Sequence, residues 1–487
     1  MDELPEDLLA DVLGRLPASS LAASRCVRKH WCSIIDARRL LRADLLPLRL
    51  DGFYCTSLDC IDRLTYFFAR PAAARRVPGG PLEFLEDYRT LDVGDHCNGL
   101  LLLLGDMVVN PATQQWVNLP DFPEPSIGGM LGGVSVWAGT TTTAAADQAP
   151  EKNHDQDLLY PSRYLVYDPM SESPQHFEVF IVPLLIPRMG NYENITIDLY
   201  EQQWPPSTLR IHVFSSRRWR WEERSWIRQG EPAGTMADMV QSDCWDCEAV
   251  YFRQALYVRC QNDSVMRIAL SSDTYQMMKS PATLSKLGAK HPTFYLGKSE
   301  KGVYAALLYW VDWSSYPQFR VWWLKEEEEI NGGNHIIHME WVLKTNISFP
   351  LLLANKLPLL HSGCADDEWR VIYNYNNKEE VPPAVAHGDD EFVADDEWDF
   401  DNADIVIDEA KDNKPTEADV PSPEDFLGFH PYKEIVFFSL RAGTISYNLN
   451  TSKVQRLGGS VSIPVGLSTS FPYTPCLLTL GELFGNS

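Results

Sequence analysis

LPEDLLADVLGRLPASSLAASRCVRKHWCSII, from Leu4 to Ile35, is patterned as three short helices. Pro5 suits the first helical position, where a missing N–H costs nothing. Glu6 and Asp7 fall in the first turn, where the helix dipole favours negative charge. Leu8, Leu9, Val12, Leu13 and Leu16 recur at helical spacing, and Gly14 and Pro17 stop the run. A second helix is expected from Ser19 or Ser20, either of which can cap it, and carries Leu21, Ala22 and Val27. A third runs through Trp31, Ile34, Ile35, Leu40 and Leu41. Three such helices within about 50 residues bury little apolar surface, so the unit is marginal alone and gains from a partner surface.

The same stretch resembles the F-box consensus along its length. Leu4-Pro5, Leu8, Val12-Leu13, Leu16-Pro17, Ser20-Leu21, Arg25, Val27, Lys29 and Trp31 stand where that pattern has them. The resemblance covers under a tenth of the 487 residues, at many fixed positions. It implies a non-catalytic subunit that docks on the Skp-family adaptor of an SCF (Skp–cullin–F-box) ubiquitin ligase, and through it on the cullin–RING ligase. Leu4, Pro5, Leu8, Leu16, Pro17 and Leu21 would belong to the adaptor-facing surface, although some of these leucines must build the unit's own core. The alternative is a helical cap whose leucines pack only on the following domain.

Outward from the helices, residues 51–90 read as a connecting segment, with ARPAAARRVPGGP at 69–81 rich in Pro, Gly, Ala and Arg. The pattern then changes to strands and turns. A strand ends in a polar turn and an aromatic-rich strand follows, at Met107, Tyr164, Ile211, Val265, Phe319 and Thr444. The turn centres lie about 45–60 residues apart, except for a last interval about twice as long, a spacing that fits kelch-type blades. The expected architecture is therefore α+β and multidomain. Residues 1–50 form a three-helix unit, and 91–487 form a mainly antiparallel β domain, a β-propeller of six or seven blades. Closure needs a strand shared between the ends of the domain, with candidates near Phe53–Phe68 and Leu477–Leu480. A pair of β-sandwiches is the competing fold. CNGLLLL from Cys97, VVNPATQQWVNLP, RYLVYDPMSESPQHFEVFIVP, FSSRRWRWEERSW and LGFHPYKEIVFFSL leading into ISYNLNTSKVQRLG resemble the F-box-associated region of the large grass F-box family. That resemblance favours the propeller.

Two segments interrupt the repeat. Residues 138–157 are low in complexity and are expected to form a mobile loop. The acidic run at about 378–425 cannot bury its charge, so a disordered, solvated insertion is expected. Phe392, Trp398 and Phe400 within it could serve as an acidic-aromatic peptide for a basic partner.

The formal net charge of −25 argues against nucleic acid, whose phosphates need a basic face. Arg15, Arg25, Arg28, Lys29, Arg38, Arg39, Arg42 and Arg49 crowd the N-terminus, where they could steer an acidic partner. The ten cysteines without a signal peptide point to reduced thiols in cytoplasm or nucleus. Apolar runs such as Leu100–Leu104 are far short of the roughly 18 residues a membrane span needs. No cofactor or metal is expected. Cys244 and Cys247 form a CxxC without a second pair at finger-like spacing, and Cys260 and His212 could complete a site only by luck of the fold. His96, His212 and His430 are isolated. Neither HExxH, a phosphate-binding Gly-rich loop nor a GxSxG elbow occurs. Trp219, Trp221 and Trp226 alternate with Arg217, Arg218, Arg220 and Arg224 at strand spacing, which reads as core tryptophans and solvent arginines; Trp322–Trp323 reads likewise as packing. The rival functions are a scaffold, a glycan- or peptide-binding propeller, or a propeller hydrolase; a hydrolase would need a convergent polar cluster that the sequence does not offer.

Overall fold

The computed structural model describes residues 5–16, 28–38, 49–57, 65–71, 92–122, 159–185, 201–240, 248–281, 290–311, 317–349, 368–374, 398–400, 405–406, 426–459, 467–478 and 485–486, with small gaps inside these ranges and isolated positions such as Leu21, Ser24 and Leu82 outside them. The chain divides into two compact units, one of residues 1–119, 167–177 and 348–487, the other of 120–166 and 178–347.

Among the described residues, the helices α1 (Glu6–Leu13) and α2 (Lys29–Ala37) open the first unit. Pro5 is the N-cap of α1, with extended backbone, and not its first helical residue; its carbonyl accepts the Leu9 N–H at 3.0 Å. Of the expected second helix only Leu21 and Ser24 are described, both helical; the rest lies outside the described residues. Leu9, Ala10, Leu13, Leu21, Ile34 and Ile35 form a small buried core, with Trp31, Leu40, Leu477 and Leu478 packed against it. An ion pair between Asp7 and Arg38 ties the start of α1 to the end of α2.

The strands follow in chain order. The first group is β1 (Gly52–Ser57), β2 (Thr65–Ala69), β3 (Val93–Cys97), β4 (Leu100–Leu103), β5 (Met107–Asn110) and β6 (Gln115–Asn118). Next come β7 (Leu159–Tyr167), β8 (Phe177–Leu185), β9 (Gln203–Trp204), β10 (Thr208–Ser215), β11 (Arg220–Gln229) and β12 (Gly234–Thr235), then a short α3 (Met236–Val240). After it run β13 (Ala249–Phe252), β14 (Ala255–Arg259), β15 (Val265–Ala269), β16 (Thr274–Met278), β17 (Lys290–Ser299), β18 (Gly302–Trp310), β19 (Gln318–Asn331) and β20 (Asn334–Ser348). The last group is β21 (Arg370–Asn374), β22 (Ile405–Val406), β23 (Phe426–Phe429), β24 (Ile435–Leu440), β25 (Gly443–Asn448), β26 (Lys453–Gly458), β27 (Leu467–Tyr473) and β28 (Gly485–Asn486).

All six hairpins of the sequence pattern form, as the neighbouring pairs β5/β6, β7/β8, β10/β11, β15/β16, β19/β20 and β25/β26. Their turns follow from local chemistry. Asp168 and Asn448 each accept backbone N–H groups just downstream, Met170 at 2.9 Å and Asn450 at 2.9 Å, the Asx geometry that starts a turn. Asn98 and Gly99 join β3 to β4 with φ of 46° and 90°, the left-handed pair that a two-residue hairpin needs. Period-2 alternation is lost on β4, β15 and β24, which are buried throughout, as strands covered on both faces must be.

In the first unit, β3–β6 and β23–β26 form antiparallel sheets, extended by β28 beside β6 and β22 beside β26. A third sheet runs β21-β2-β1-β27. Its inner strands β1 and β2 come from 51–90, the stretch expected to connect the units. The strand that returns to β1 is β27, with Tyr54 opposite Phe471. The strand beside β1 therefore lies ahead of Leu477–Leu480, where a strand was expected. Leu477 and Leu478 pack on the helices instead. Phe53, Phe67, Phe68, Trp369, Phe437 and Tyr473 fill the core, with Phe53 edge-on to Phe437 at 5.1 Å and Tyr54 edge-on to Tyr473 at 5.2 Å.

In the second unit, β13–β16 and the β7, β8, β10, β11 group merge into one eight-stranded sheet through a parallel pairing of β11 with β16, Ile227 opposite Thr274. The β17–β20 sheet packs on it around Tyr257, Phe294, Leu307 and Trp322. Arg267 of β15 donates to Glu326 of β19 at 3.0 Å, so an ion pair also links the two sheets.

Candidate functional site

Helix α1 turns one face inward through Leu9, Ala10 and Leu13. The adjoining face carries Leu8 and Val12, 54% and 41% exposed, followed by Leu16 at 36% just past the helix end. Spacings of four residues set these side chains one turn apart along one side. Pro5, also exposed, extends the row at the N-terminal end. Glu6, Asp7 and Asp11 border it, with Asp11 held by Arg15 at 2.6 Å and Asp7 by Arg38. The result is an apolar stripe with a charged rim.

Of the residues expected on the adaptor-facing surface, Pro5, Leu8 and Leu16 are exposed together. Leu21 is 1% exposed and belongs to the helical core. Leu4 and Pro17 lie outside the described residues. Val12 joins the stripe without having been in the expected set; its signal was spacing, four residues after Leu8 and four before Leu16.

The other candidates are packing residues. Trp226 is buried and donates Nε1–H to the Ala269 carbonyl at 3.2 Å. Trp221 donates to the Pro120 carbonyl at 3.0 Å, and Trp219 lies edge-on to Phe214 at 5.2 Å. Arg218 and Arg220 share Glu222, at 2.6 and 2.7 Å, and Arg224 holds Glu178 at 2.6 Å. Trp322 is buried. In the acidic run the described residues are held by the body of the first unit. Phe400 enters its core, Trp398 donates to Gln455 Oε1 at 3.1 Å beneath the Arg70 guanidinium, and β22 pairs with β26. These two aromatic side chains are therefore spent inside the chain and not offered to a basic partner; Phe392 lies outside the described residues. Cys244 and Cys247 also lie outside them, while Cys260 is buried. His96 packs beside Phe471 at 4.9 Å. Among the described residues, no three His, Cys, Asp or Glu side chains group as metal ligands, and no helix is long and apolar enough to cross a membrane.

Residues 1–43 match the F-box domain model. The F-box match thus spans α1, α2 and the exposed stripe. Relatives in Arabidopsis thaliana point the same way. One carries the name F-box protein and is 29% identical over 133 residues, 25% of this chain and 31% of its own length. Two are named provisionally as F-box proteins. The first is 28% identical over 130 residues, 25% of this chain and 33% of its own. The second is 38% identical over 84 residues, 15% of this chain and 28% of its own. The chain therefore spans no more than about a third of the curated relatives it matches. F-box domains in general bind Skp-family adaptors.

Proposed function

We propose that this protein is a substrate-recognition subunit of an SCF-type ubiquitin ligase. It docks on a Skp-family adaptor through Pro5, Leu8, Val12 and Leu16, and presents a target protein on its β body. The observation that carries this is an exposed row of large aliphatic side chains on an F-box helix whose other face is buried. Such a row is costly in water, at about 25 cal/mol per Å² of apolar surface left uncovered. The work of the complex is proximity: holding a target's lysines near a charged ubiquitin carrier raises effective concentration, and no residue of this chain need touch the thioester. We read the β body as a kelch-like propeller of six or seven blades. The repeated four-stranded antiparallel groups β3–β6, β13–β16, β17–β20 and β23–β26 support it, as does the return of β27 to β1. The place of action is cytoplasm or nucleus, a reading supported by Cys55, Cys97, Cys260 and Cys476 being buried thiols rather than disulfides.

Capture of a purified Skp-family adaptor tests the docking. The wild-type chain is expected to retain it. The double variant Leu8→Glu/Leu16→Glu is expected to lose at least 100-fold in affinity with an unchanged thermal melt. A wild type that fails to bind, or a variant that binds equally well, sinks the proposal.

A further inference from the structure

We propose that Thr474–Leu478 is a strap that seats the F-box helices on the β sheets of the first unit, which makes Leu477 and Leu478 positioning residues for adaptor docking. Both side chains pack against the core of Leu9, Ala10, Leu13, Leu21, Ile34 and Ile35. A helical unit this small buries too little of its own surface to stand alone, so two added leucines are a large share of its apolar packing.

The strap is fixed to the rest of the first unit at three places, at Asn110, at Tyr167 and at the β3–β4 turn. The Asn110 side chain, at the end of β5, donates Nδ2–H to the Leu478 carbonyl at 3.2 Å. Cys476 Sγ lies 3.3 Å from the Tyr167 hydroxyl, and Tyr167 is itself held at its backbone by Cys97 and Asn98. The β3–β4 turn passes so close that a Cβ on Gly99 would fall 2.5 Å from the Thr474 carbonyl oxygen and 2.7 Å from the Cys476 backbone nitrogen. Immediately upstream, β27 is zipped to β1.

Asn110 shows that the contact is specific. Asp168 and Asn448, which end their strands at the equivalent hairpins, spend their side chains on their own turns. The Asn110 amide instead reaches a backbone 368 residues away in sequence. The strap packs on the core that α1 builds through Leu9, Ala10 and Leu13, while the docking stripe lies on the adjoining, exposed side of the same helix. The inner side is gripped by the chain itself and the outer side is left for the adaptor, so the F-box meets its partner already folded and at a fixed attitude to these sheets. The consequence for docking rests on the adaptor reading above; the coupling of helices to sheets does not.

Hydrogen exchange on the full-length chain, read by mass spectrometry with and without a purified Skp-family adaptor, tests the strap. Two variants attack it from opposite ends: Leu477→Asp/Leu478→Asp at the helices, and Gly99→Ala at the turn. In both, exchange over 9–13 and 34–37 is expected to rise at least ten-fold, with 255–259 and 435–440 unchanged. Adaptor affinity should fall about ten-fold and added adaptor should restore protection. Leu477→Met/Leu478→Met should behave as wild type. Unchanged helix exchange in both variants would overturn the strap. So would an equal loss of protection over 435–440, which would make these residues ordinary core. If the exchange result holds and the wild type binds no adaptor, the strap stands and the docking reading falls.

Discussion

His430 is wholly buried between β23 and β24, edge-on to Phe400 at 5.1 Å and stacked on Phe437 at 6.1 Å. Its Nδ1 accepts the Tyr432 N–H at 3.1 Å, which fixes the ring as a neutral acceptor. Removal from water, with the Lys433 ammonium nearby, pushes its pKa down to about 3. In the unfolded chain the ring titrates near 6.5. The folded value lies below the unfolded one, so the neutral ring's contribution is intact above about pH 6.5 and is lost as the pH falls from there toward 3. The wild type should therefore lose stability between pH 7 and pH 5 more steeply than His430→Gln, by up to about 1.4 kcal/mol per pH unit. Urea midpoints across that range decide it, and equal slopes would mean that the folded ring is readily protonated.

At the scale of elements, α1 makes two of its leucines unequal. Leu13→Ala removes a buried side chain and is expected to cost about 2–4 kcal/mol, seen as an earlier loss of far-UV helical signal. Leu8→Ala, on the exposed face, should stay within about 0.5 kcal/mol in the same melt while weakening adaptor capture. The acidic run offers a matching contrast. Phe400 is only 2% exposed, so Phe400→Ala should destabilise the first unit by about 3–5 kcal/mol, where a side chain in a solvated loop would change almost nothing. Thermal melts of the full chain separate the two outcomes.

At the scale of the molecule, the first unit is stitched from remote parts of the chain: β1 lies between β2 and β27, and β21 flanks β2. Removing residues from 467 onward would strip β1 of one neighbour and the helices of Leu477 and Leu478. Exchange over 52–57 and 9–13 should then approach that of an unfolded chain. Exchange over 209–215 and 255–259, in the second unit, should keep its protection. Loss of protection in both units together would show that they fold as one.

The hairpins were legible in the sequence because their causes are local. Asp168, Asn448 and the Asn98–Gly99 pair choose their turns within a few residues, and strand alternation does the rest. The helical period of Leu4–Leu16 was equally plain, together with the F-box pattern it carries. Which face of α1 would be buried was not. Leu8 and Leu9 are the same residue side by side, and only the packing of Leu21, Ile34, Ile35, Leu477 and Leu478 decides that Leu9 turns in and Leu8 stays out. Composition failed at Phe400 for a related reason: an acidic run tells of the average solvation of its residues, not of the single aromatic that finds a pocket beside His430 and Phe437. The run Leu477–Leu480 suited a strand, yet Leu477 and Leu478 were claimed by helices more than 400 residues upstream. The sequence by itself determined the period of α1 and the six hairpins with their turns, since those follow from short-range sterics and hydrogen bonding. The tertiary structure alone decided which apolar side chains were left over for a partner, because burial is set by contacts between residues that no local pattern links.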